Sequence, residues 1–369
     1  MDSRIRAAIL PDYNESVRVS AVTIDDPGPG EVLVEMRASG VCRSDWHAVT
    51  GHLPLPVPLV LGHEGAGIVR AVGPAVTRVS PQDHVVLSWI PQCGACRWCL
   101  DGQPELCERA NDAAVNGTLL SGAQHVRWNG EPVHTFSTTG TLADYALVSE
   151  ESVVPIPKSL PFDQAALLGC AVLTGVGAAF HAPIRPGDTV LVIGTGGVGL
   201  NIVQGARIRG AGRILAIDPS AANRQLARAL GATWAIDPTA EDPLAAVLDA
   251  TRDEGVDVAF EAVGQPDLMA LAFNAVRRGG TAVAVGVPLP NASVTLNAFA
   301  VVSQEKTLTG SWYGQSYPPR DIPRLVTLWN EGTLKLAPLI QRRYSLDGVN
   351  DALQDIASGR GGRSVIVWQ

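Results

Sequence analysis

Four of the six cysteines lie close together in the chain, at Cys93, Cys96, Cys99 and Cys107. The spacing C-x2-C-x2-C-x7-C, in a stretch with glycine and proline at its bends, allows four thiolates to surround one tetrahedral Zn²⁺ ion. Because four sulfur ligands leave no open coordination position, we predict a structural zinc lobe over residues 93–107. The alternatives are two disulfides and an iron–sulfur cluster, although the ferredoxin-type pattern places its fourth cysteine sooner.

The other two cysteines, Cys42 and Cys170, are isolated, and either one alone is more typical of a small buried apolar residue than of a reactive thiol. His63 lies between them in the sequence, flanked by Gly62 and Glu64, and by itself it is typical of a turn. Thiolates and imidazoles are ligands that Zn²⁺ prefers. The sequence alone does not bring these residues together, because that step requires a fold.

A glycine-rich loop follows a short β-branched strand at Thr189–Ile193. The loop has the pattern G-x-G-x-x-G and leads into a predicted helix over residues 200–209, after which a second strand ends at Asp218. In such a unit the first glycine permits a tight turn, the second lets the backbone approach a pyrophosphate, and the third allows close helix packing. The helix N-terminus adds N–H groups and a positive dipole for the phosphates. The predicted dinucleotide cradle consists of Gly194, Gly196, Gly197, Val198 and Gly199.

Asp218 lies where a carboxylate bonds the adenosine ribose hydroxyls and repels a 2′-phosphate, so the sequence favours NAD over NADP. Arg224 is near enough in the sequence to weaken this preference. Strands and helices continue to alternate, which predicts a doubly wound parallel sheet over roughly residues 172–310. These further elements are a helix over residues 222–230, a strand over Val256–Glu261, a helix over residues 268–277 and a strand over residues 281–287.

The elements that position these groups belong to a core-forming chain of 369 residues, of which 46% are hydrophobic and 17% charged. This length predicts two domains or three. The net charge of -8 argues against a nucleic-acid binder or a protein of anionic membranes, both of which carry a basic face. The first residues lack the apolar core of a signal peptide, and the uncharged segment 165–180 is predicted as a buried helix rather than a membrane span. We therefore expect a cytoplasmic protein with no nucleic-acid and no membrane partner.

Taken together and in this order, the motifs resemble the zinc-dependent medium-chain alcohol dehydrogenase family over nearly the full length. The resemblance includes the glycine-rich loop, the four-cysteine lobe and the short segments 40–45, 62–64 and 169–170. Residues 116–145 resemble an insertion of the animal-type, or class III-like, branch, which includes the glutathione-dependent formaldehyde dehydrogenases.

The resemblance implies an α/β protein with two domains. A GroES-like, mostly β catalytic domain would take residues 1–171 and resume over residues 312–369. A Rossmann NAD-binding domain, which is a doubly wound parallel sheet, would take residues 172–311. Similar enzymes form homodimers and homotetramers, so we expect one of these assemblies.

The resemblance also implies two zinc ions per chain. The catalytic ion would be held by Cys42, His63 and Cys170, and the structural ion by the four-cysteine lobe. A substrate alcohol at the catalytic zinc would transfer a hydride to the nicotinamide of NAD. Its proton would pass through Ser44 and the nicotinamide ribose to His47, whose neutral imidazole can accept it near physiological pH.

Further residues match supporting positions of the family. Asp45 matches a carboxylate that orients His63, and Glu64 matches an acid behind the metal. Arg43 and Arg363 match pyrophosphate contacts, for which a planar guanidinium is suited. The other coenzyme contacts implied by the resemblance are Thr174, Asn223, Val263 and Val287.

Leu53, Trp89, Phe136 and Trp312 match positions that line the alcohol pocket of similar enzymes. The predicted partner is a small-molecule alcohol or aldehyde, with a primary alcohol that has an apolar or aromatic side chain favoured. One alternative is a thiol-adduct formaldehyde dehydrogenase. Glutathione-dependent members carry charged residues at two positions that are occupied here by the uncharged Leu53 and Asn111, which argues against glutathione as the thiol. Another alternative is a zinc- and nucleotide-binding protein without catalysis. The complete set of metal and proton-relay residues argues against this alternative.

Overall fold

The computed structural model describes residues 4–368, whose backbone forms eighteen β-strands and twelve α-helices. The strands are β1 (Arg4–Leu10), β2 (Arg18–Ile24), β3 (Glu31–Val41), β4 (Leu59–Val60), β5 (Glu64–Val72), β6 (His84–Leu87), β7 (Val126–Trp128), β8 (Glu131–Thr135), β9 (Tyr145–Ser149), β10 (Val153–Pro155), β11 (Thr189–Ile193), β12 (Arg213–Ile217), β13 (Trp234–Ile236), β14 (Val256–Glu261), β15 (Val276–Ala284), β16 (Thr307–Gly310), β17 (Ile340–Tyr344) and β18 (Arg363–Val367). The helices are α1 (Arg43–Val49), α2 (Arg97–Leu100), α3 (Glu108–Asn116), α4 (Phe162–Ala166), α5 (Ala171–His181), α6 (Gly197–Ile208), α7 (Ala221–Leu230), α8 (Pro243–Ala250), α9 (Pro266–Ala275), α10 (Ala298–Ser303), α11 (Pro318–Asn330) and α12 (Val349–Ala357).

Strands from the first half of the chain and from its C-terminal part form two β structures. Strands β1, β2, β7, β8 and β4 close into a barrel. A seven-stranded sheet has the order β10-β6-β5-β3-β18-β17, and β9 also pairs with β3. Strand β18 lies antiparallel to β3 with Ser364 opposite Val41, so the end of the chain returns beside Cys42. This mostly β part agrees with the predicted GroES-like fold.

The glycine-rich loop belongs to a six-stranded sheet of order β13-β12-β11-β14-β15-β16, in which every pair is parallel. The central strand β11 contributes to a different apolar cluster on each face. Val190 and Val192 pack with residues of α5 and α6, whereas Leu191 and Ile193 pack with residues of α8 and α9. Both faces are therefore covered by helices, and the predicted α/β fold class is confirmed.

Some predicted bounds in this parallel sheet are wrong. Helix α6 begins at Gly197, inside the loop, rather than at residue 200. The helix predicted over residues 268–277 ends at Ala275, because Val276 is extended and already pairs with Val256 as the start of β15. The strand predicted over residues 281–287 therefore begins earlier. The short elements β13, β16, α8 and α10 were not predicted, since each has little of the periodicity on which such a prediction depends.

Helices α5 and α6 run side by side because glycines let their backbones approach. A Cβ on Gly175 would lie 2.4 Å from the carbonyl oxygen of Val198, and a Cβ on Gly205 would lie 2.7 Å from the Cβ of Ala179. Cys170 is the residue before α5, and the glycine-rich loop leads into α6. The close contact thus brings a predicted metal ligand and the nucleotide loop to neighbouring helix ends.

Among residues 4–368, no single helix has both the length and the apolar character required to cross a membrane. One pair of helical segments meets both requirements when the two are taken together, by length and composition alone. They are Phe162–Gly169 and Ala171–His181, and the chain bends by 51° between them. The segment 165–180, predicted as one helix, is therefore interrupted next to Cys170, and most of α5 is buried in the protein as predicted.

Candidate active site

Three separate segments meet at the predicted catalytic metal site. Cys42 follows β3, His63 precedes β5, and Cys170 precedes α5. The ligand atoms of these three residues and of Glu64 all lie within 4.8 Å of one another, and all four residues are buried. Around a tetrahedral Zn²⁺ with bonds of about 2.0–2.3 Å, neighbouring ligand atoms lie roughly 3.5–3.8 Å apart. Two thiols and an imidazole in this arrangement fit the predicted ion.

Asp45 holds the backbone of both the cysteine and the histidine segments. Its Oδ2 accepts a hydrogen bond from the backbone N–H of Cys42 at 2.8 Å, and its Oδ1 accepts one from that of Gly62 at 3.0 Å. The same Oδ1 lies 3.6 Å from Nδ1 of His63, and this ring nitrogen has no hydrogen-bond partner within residues 4–368. The orienting contact predicted for Asp45 is therefore electrostatic at this distance, while its hydrogen bonds go to the backbone.

Glu64 forms a buried ion pair with Arg363, whose Nη2 donates to its Oε1. Burial raises the pKa of Glu64 to about 7, and the positive charge of Arg363 opposes this shift. Arg363 also packs against the nucleotide loop, since a Cβ on Gly197 would lie 2.5 Å from its Cδ atom. The guanidinium that was predicted to contact a pyrophosphate thus reaches the loop while it is bonded to an acid of the metal cluster.

The surroundings of Cys42 favour its thiolate. A hydrogen bond with Cys170 lowers the pKa of Cys42 most, burial opposes this effect, and the charges of Arg363 and His63 lower the pKa further. Because the thiolate rather than the thiol binds metal, the cluster is prepared for a cation.

Ser44 and His47 both lie on α1, with Ser44 at the metal cluster. The Oγ atom of Ser44 lies 3.8 Å from Sγ of Cys42. His47 is half-buried, and its ring centroid lies 5.6 Å from that of His52. Burial lowers the pKa of His47, and the positive charges of Arg43 and His52 lower it further. His47 is therefore neutral at neutral pH and can accept a proton.

The glycine-rich loop has the geometry that its pattern predicts. Gly194 has a φ of 82°, which favours glycine. A Cβ on Gly199 would lie 1.8 Å from the carbonyl oxygen of Gly194, so no side chain fits there. A Cβ on Gly196 would have nothing within 4 Å, which leaves space for a phosphate at the N-terminus of α6. These features fit a dinucleotide.

Asp218 follows β12 and accepts hydrogen bonds from three neighbouring residues. The donors are the backbone N–H of Thr195 at 2.8 Å, the backbone N–H of Ser220 at 2.8 Å and Nδ2 of Asn223 at 3.2 Å. Arg224 donates to the carbonyl oxygen of Asp218 and forms an ion pair with Asp237 at 2.7 Å. The charge of Arg224 is thus neutralised next to the position predicted for the ribose.

The remaining predicted coenzyme residues are distributed around the loop and the cavity. A Cβ on Gly194 would lie 2.3 Å from Cγ2 of Val263, so Val263 lies against the loop. Val287 lines the cavity that contains the metal cluster. Thr174 is buried in α5, where its N–H donates to the carbonyl oxygen of Cys170, and Arg43 is exposed at the first position of α1.

The predicted pocket residues line one cavity of about 170 Å³, which also contains Ser44, His63 and Cys170. Its four predicted members are Leu53, Trp89, Phe136 and Trp312. Edge-to-face contacts join the rings of Phe136 and His63 at 5.1 Å and those of Trp89 and Trp312 at 5.6 Å. The metal cluster thus opens into a largely apolar cavity with aromatic walls.

Tyr313 is a residue of the site that the sequence analysis did not identify. Its buried hydroxyl donates to the carbonyl oxygen of Gly169 and lies 3.2 Å from Oγ of Ser88, and its ring packs on Trp89 at 4.6 Å. It therefore fixes the backbone directly before Cys170. Its partners lie far away in the sequence, so no local pattern around Tyr313 indicates this role.

The four cysteines of the second predicted metal site cluster in the lobe. The ligand atoms of Cys93, Cys96, Cys99 and Cys107 lie within 4.8 Å of one another, and all four residues are free cysteines. Sγ of Cys96 and Sγ of Cys99 are 3.6 Å apart, close to the roughly 3.8 Å expected between thiolates on one zinc ion. The donor set fits a closed site of structural type.

This fold and these two clusters define a zinc-binding dehydrogenase with a GroES-like domain. Residues 28–158 match the family of alcohol dehydrogenase GroES-like domains, and residues 197–331 match the zinc-binding dehydrogenase family. The chain belongs to the zinc-dependent medium-chain alcohol dehydrogenase family, as the resemblance predicted.

Relatives along the full length agree with this assignment. The chain is 38% identical over 368 residues to an NDMA-dependent alcohol dehydrogenase of Amycolatopsis methanolica, and the match covers 99% of each protein. It is 35% identical to alcohol dehydrogenase B of Mycobacterium tuberculosis, with 98% of each covered. Among solved structures, benzyl alcohol dehydrogenase from Acinetobacter calcoaceticus superposes with a TM-score of 0.94 at 32% identity, with 99% of each chain covered.

Proposed function

We propose that this alcohol dehydrogenase oxidises primary alcohols with an apolar or aromatic side chain, and reduces the matching aldehydes, with NAD as the hydride acceptor. One observation carries the proposal: a metal-binding cluster, a dinucleotide cradle and an aromatic cavity meet at one place. Arg363 contacts both Glu64 of the cluster and Gly197 of the cradle. Such an arrangement suits hydride transfer, which requires the substrate carbon beside a nicotinamide ring.

Each metal-cluster residue has an assigned task. Cys42, His63 and Cys170 would hold a zinc ion, which would supply Lewis-acid chemistry to the substrate hydroxyl. Asp45 keeps the segments that carry Cys42 and His63 in position through two backbone hydrogen bonds. Arg363 compensates the buried charge of its partner carboxylate, which would otherwise be costly next to two thiolates.

The proton of the alcohol leaves through α1. Ser44 takes it first, because its hydroxyl is in the cavity beside the cluster. His47 takes it last, because it is half-buried and neutral, and so can pass the proton to solvent. The aromatic walls at Trp89 and Phe136 keep water away from the reacting atoms.

NAD rather than NADP is favoured by the charges next to the ribose position. The carboxylate of Asp218 repels a 2′-phosphate, and the guanidinium of Arg224 is held by Asp237 instead of being available for one.

The cavity favours an aromatic or a slender apolar alcohol. Its volume of about 170 Å³ and its aromatic lining suit benzyl alcohol. The structurally similar protein from Acinetobacter calcoaceticus is named a benzyl alcohol dehydrogenase. Leu53 and Asn111, which line the same cavity, offer no charge to the carboxylates of glutathione. Membership of the class III-like branch stays a prediction.

NDMA is a second candidate for the acceptor. The relative from Amycolatopsis methanolica, which shares 38% identity over 368 residues, is NDMA-dependent by name. In that case the fold, the metal cluster and the alcohol remain the same, and only the final acceptor of the electrons differs.

A panel of substrates and acceptors tests the proposal on zinc-loaded protein. We expect kcat/KM for benzyl alcohol to exceed that for ethanol, and turnover with NAD to exceed that with NADP. Turnover only with NDMA would select the second acceptor, and turnover only with formaldehyde plus a thiol would select the thiol-adduct reaction. Catalysis that survives Cys42→Ser would contradict the assigned metal site.

Paired variants test the coenzyme choice. Asp218→Asn removes the charge that repels a 2′-phosphate, so the ratio of kcat/KM with NADP to that with NAD is expected to rise about tenfold. Asp237→Asn releases Arg224 from its ion pair. The freed positive charge can attract a 2′-phosphate, so this variant is also expected to raise the ratio. An unchanged ratio in both variants would remove the basis for the NAD preference.

A further inference from the structure

A second cleft lies beside the four-cysteine lobe. Its volume is about 530 Å³, three times that of the active-site cavity, and it is within the range of small-molecule sites. Cys93, Cys99 and Gln103 of the lobe line one wall. Residues from the end of α5 and the start of α11, among them His181 and Arg320, line the opposite wall.

The cleft contains a buried hydrogen-bond donor that has no partner. Gln92 is 7% exposed, and its Nε2 atom finds no acceptor anywhere in residues 4–368. Leaving an amide N–H unpaired in the interior is unfavourable, so an acceptor atom of a bound molecule would stabilise this group. A carbonyl or carboxylate oxygen is a suitable acceptor for this donor.

The cleft also contains a buried acceptor. Glu105 is 7% exposed, and no other residue in the described part of the chain donates a hydrogen bond to its carboxylate. His181 and Arg320 line the same cleft, and both already have other partners. Nδ1 of His181 donates to the carbonyl oxygen of Gly177 at 3.0 Å, and Arg320 uses Nε and Nη2 on Asp321. The carboxylate is therefore able to receive a cationic or N–H donor.

The charges of the cleft are balanced. Arg78 and Arg320 contribute two positive charges, and Glu105 and Glu151 contribute two negative charges. An anion such as phosphate would face the two carboxylates, and a simple cation would face the two guanidinium groups. A ligand with both signs of charge meets a partner for each.

We propose that this cleft is a second ligand site that binds a zwitterionic α-amino acid or a short peptide. The ammonium or N–H group of the ligand bonds to the carboxylate of Glu105. Its carboxylate or carbonyl oxygen accepts from Nε2 of Gln92 and from Arg320. The cleft adjoins the alcohol cavity, because Glu105 lines both, but the proposed binding does not depend on the proposed hydride transfer.

Isothermal titration calorimetry on the zinc-loaded, full-length protein tests the proposal. The probes are the twenty common α-amino acids and glycylglycine, together with the N-acetyl and carboxamide derivatives of any that bind. We expect at least one zwitterion to bind one-to-one with a Kd below about 1 mM. Each derivative that lacks one charge is expected to bind at least about tenfold more weakly.

Two variants locate the binding in the cleft. Gln92→Leu and Arg320→Ala are each expected to weaken binding about tenfold or more. Arg324→Ala is the matched control, because Arg324 also pairs with Asp321 from α11 but does not line the cleft. The control is expected to bind like the wild type, and Arg320→Ala is expected to keep the kcat/KM of the parent for its alcohol.

Several outcomes would overturn the inference. The absence of binding by every probe at about 10 mM would mean that water alone fills the cleft. Equal binding of the singly charged derivatives would exclude recognition of a zwitterion. Binding that persists in both Gln92→Leu and Arg320→Ala would place the ligand elsewhere. None of these results depends on whether the protein oxidises alcohols.

Discussion

Arg363 and Glu64 form a buried ion pair that joins the C-terminal strand to the predicted catalytic metal cluster. They lie 299 positions apart in the chain, and they meet because β18 pairs with β3 beside Cys42. The other side of the Arg363 side chain packs on Gly197 in the nucleotide loop. One side chain therefore contacts both halves of the proposed active site.

Loss of this pair is expected to destabilise the fold. Arg363→Met leaves the carboxylate of Glu64 buried without a partner, so the free energy of unfolding should fall by about 3 kcal/mol or more. Adding Glu64→Gln removes the orphaned charge and is expected to restore part of the loss. Denaturant unfolding of the two single variants and the double variant measures the coupling. Equal stability of Arg363→Met and the wild type would contradict this account.

His47 sets the acid side of the expected pH profile. Burial lowers its pKa below the ordinary value of 6.5, and Arg43 and His52 lower it further. Because the neutral ring accepts the proton, kcat/KM for alcohol oxidation should stay high as the pH falls and decline only below 6.5. The measurement is kcat/KM over about pH 5 to 8.

Two variants separate this role from other titrations. His52→Ala removes a positive neighbour, so the pKa of His47 rises and the acid limb should move to higher pH. His47→Gln cannot take up the proton, and kcat/KM should fall about 100-fold while this limb disappears. If the acid limb of the pH profile is identical in the wild type and in both variants, a group other than His47 causes it.

The two metal clusters are expected to respond differently to the loss of one ligand. Metal analysis should find two zinc ions per wild-type chain and one in either Cys42→Ser or Cys99→Ser. Cys42→Ser should lose turnover while it stays folded, because the four-cysteine lobe is intact. Cys99→Ser should lower the thermal unfolding midpoint, since a closed thiolate site contributes directly to folding. A midpoint unchanged in Cys99→Ser would argue against a structural ion there.

The exposed edge of the parallel sheet is expected to join subunits. Strand β16 pairs only with β15 among the described strands, and the neighbouring α10 presents Phe299 and Val302, which are 77% and 79% exposed. Apolar side chains this exposed next to an open sheet edge suit a homodimer or homotetramer contact. Phe299→Asp with Val302→Asp should therefore reduce the sedimentation coefficient to that of a smaller species.

Trp234→Asp is the control for this assembly, because Trp234 is also exposed but lies at the opposite edge of the same sheet. It should leave the oligomer intact. A wild-type chain that sediments as a monomer at micromolar concentration would show that this edge does not join subunits.

The spacing of nearby residues in the sequence was sufficient to predict the four-cysteine lobe and the glycine-rich loop. Cys93, Cys96 and Cys99 are so near in sequence that any compact turn brings their sulfurs together, and the spacing alone predicted the lobe. The pattern from Gly194 to Gly199 likewise predicted a tight turn and close helix packing, because Gly194 has a positive φ and a Cβ on Gly199 would clash with the backbone. These features depend on backbone sterics over a few residues.

The tertiary structure alone decided which distant residues meet. Cys42, His63 and Cys170 could be named as partners through a family resemblance, but no spacing in the chain required it. The partner of Arg363, the contact of Tyr313 with Gly169 and the cleft between Gln92 and Glu105 had no signal in the sequence. Contacts of this kind depend on how whole strands and helices pack, and that packing is the sum of many weak interactions spread over the entire chain.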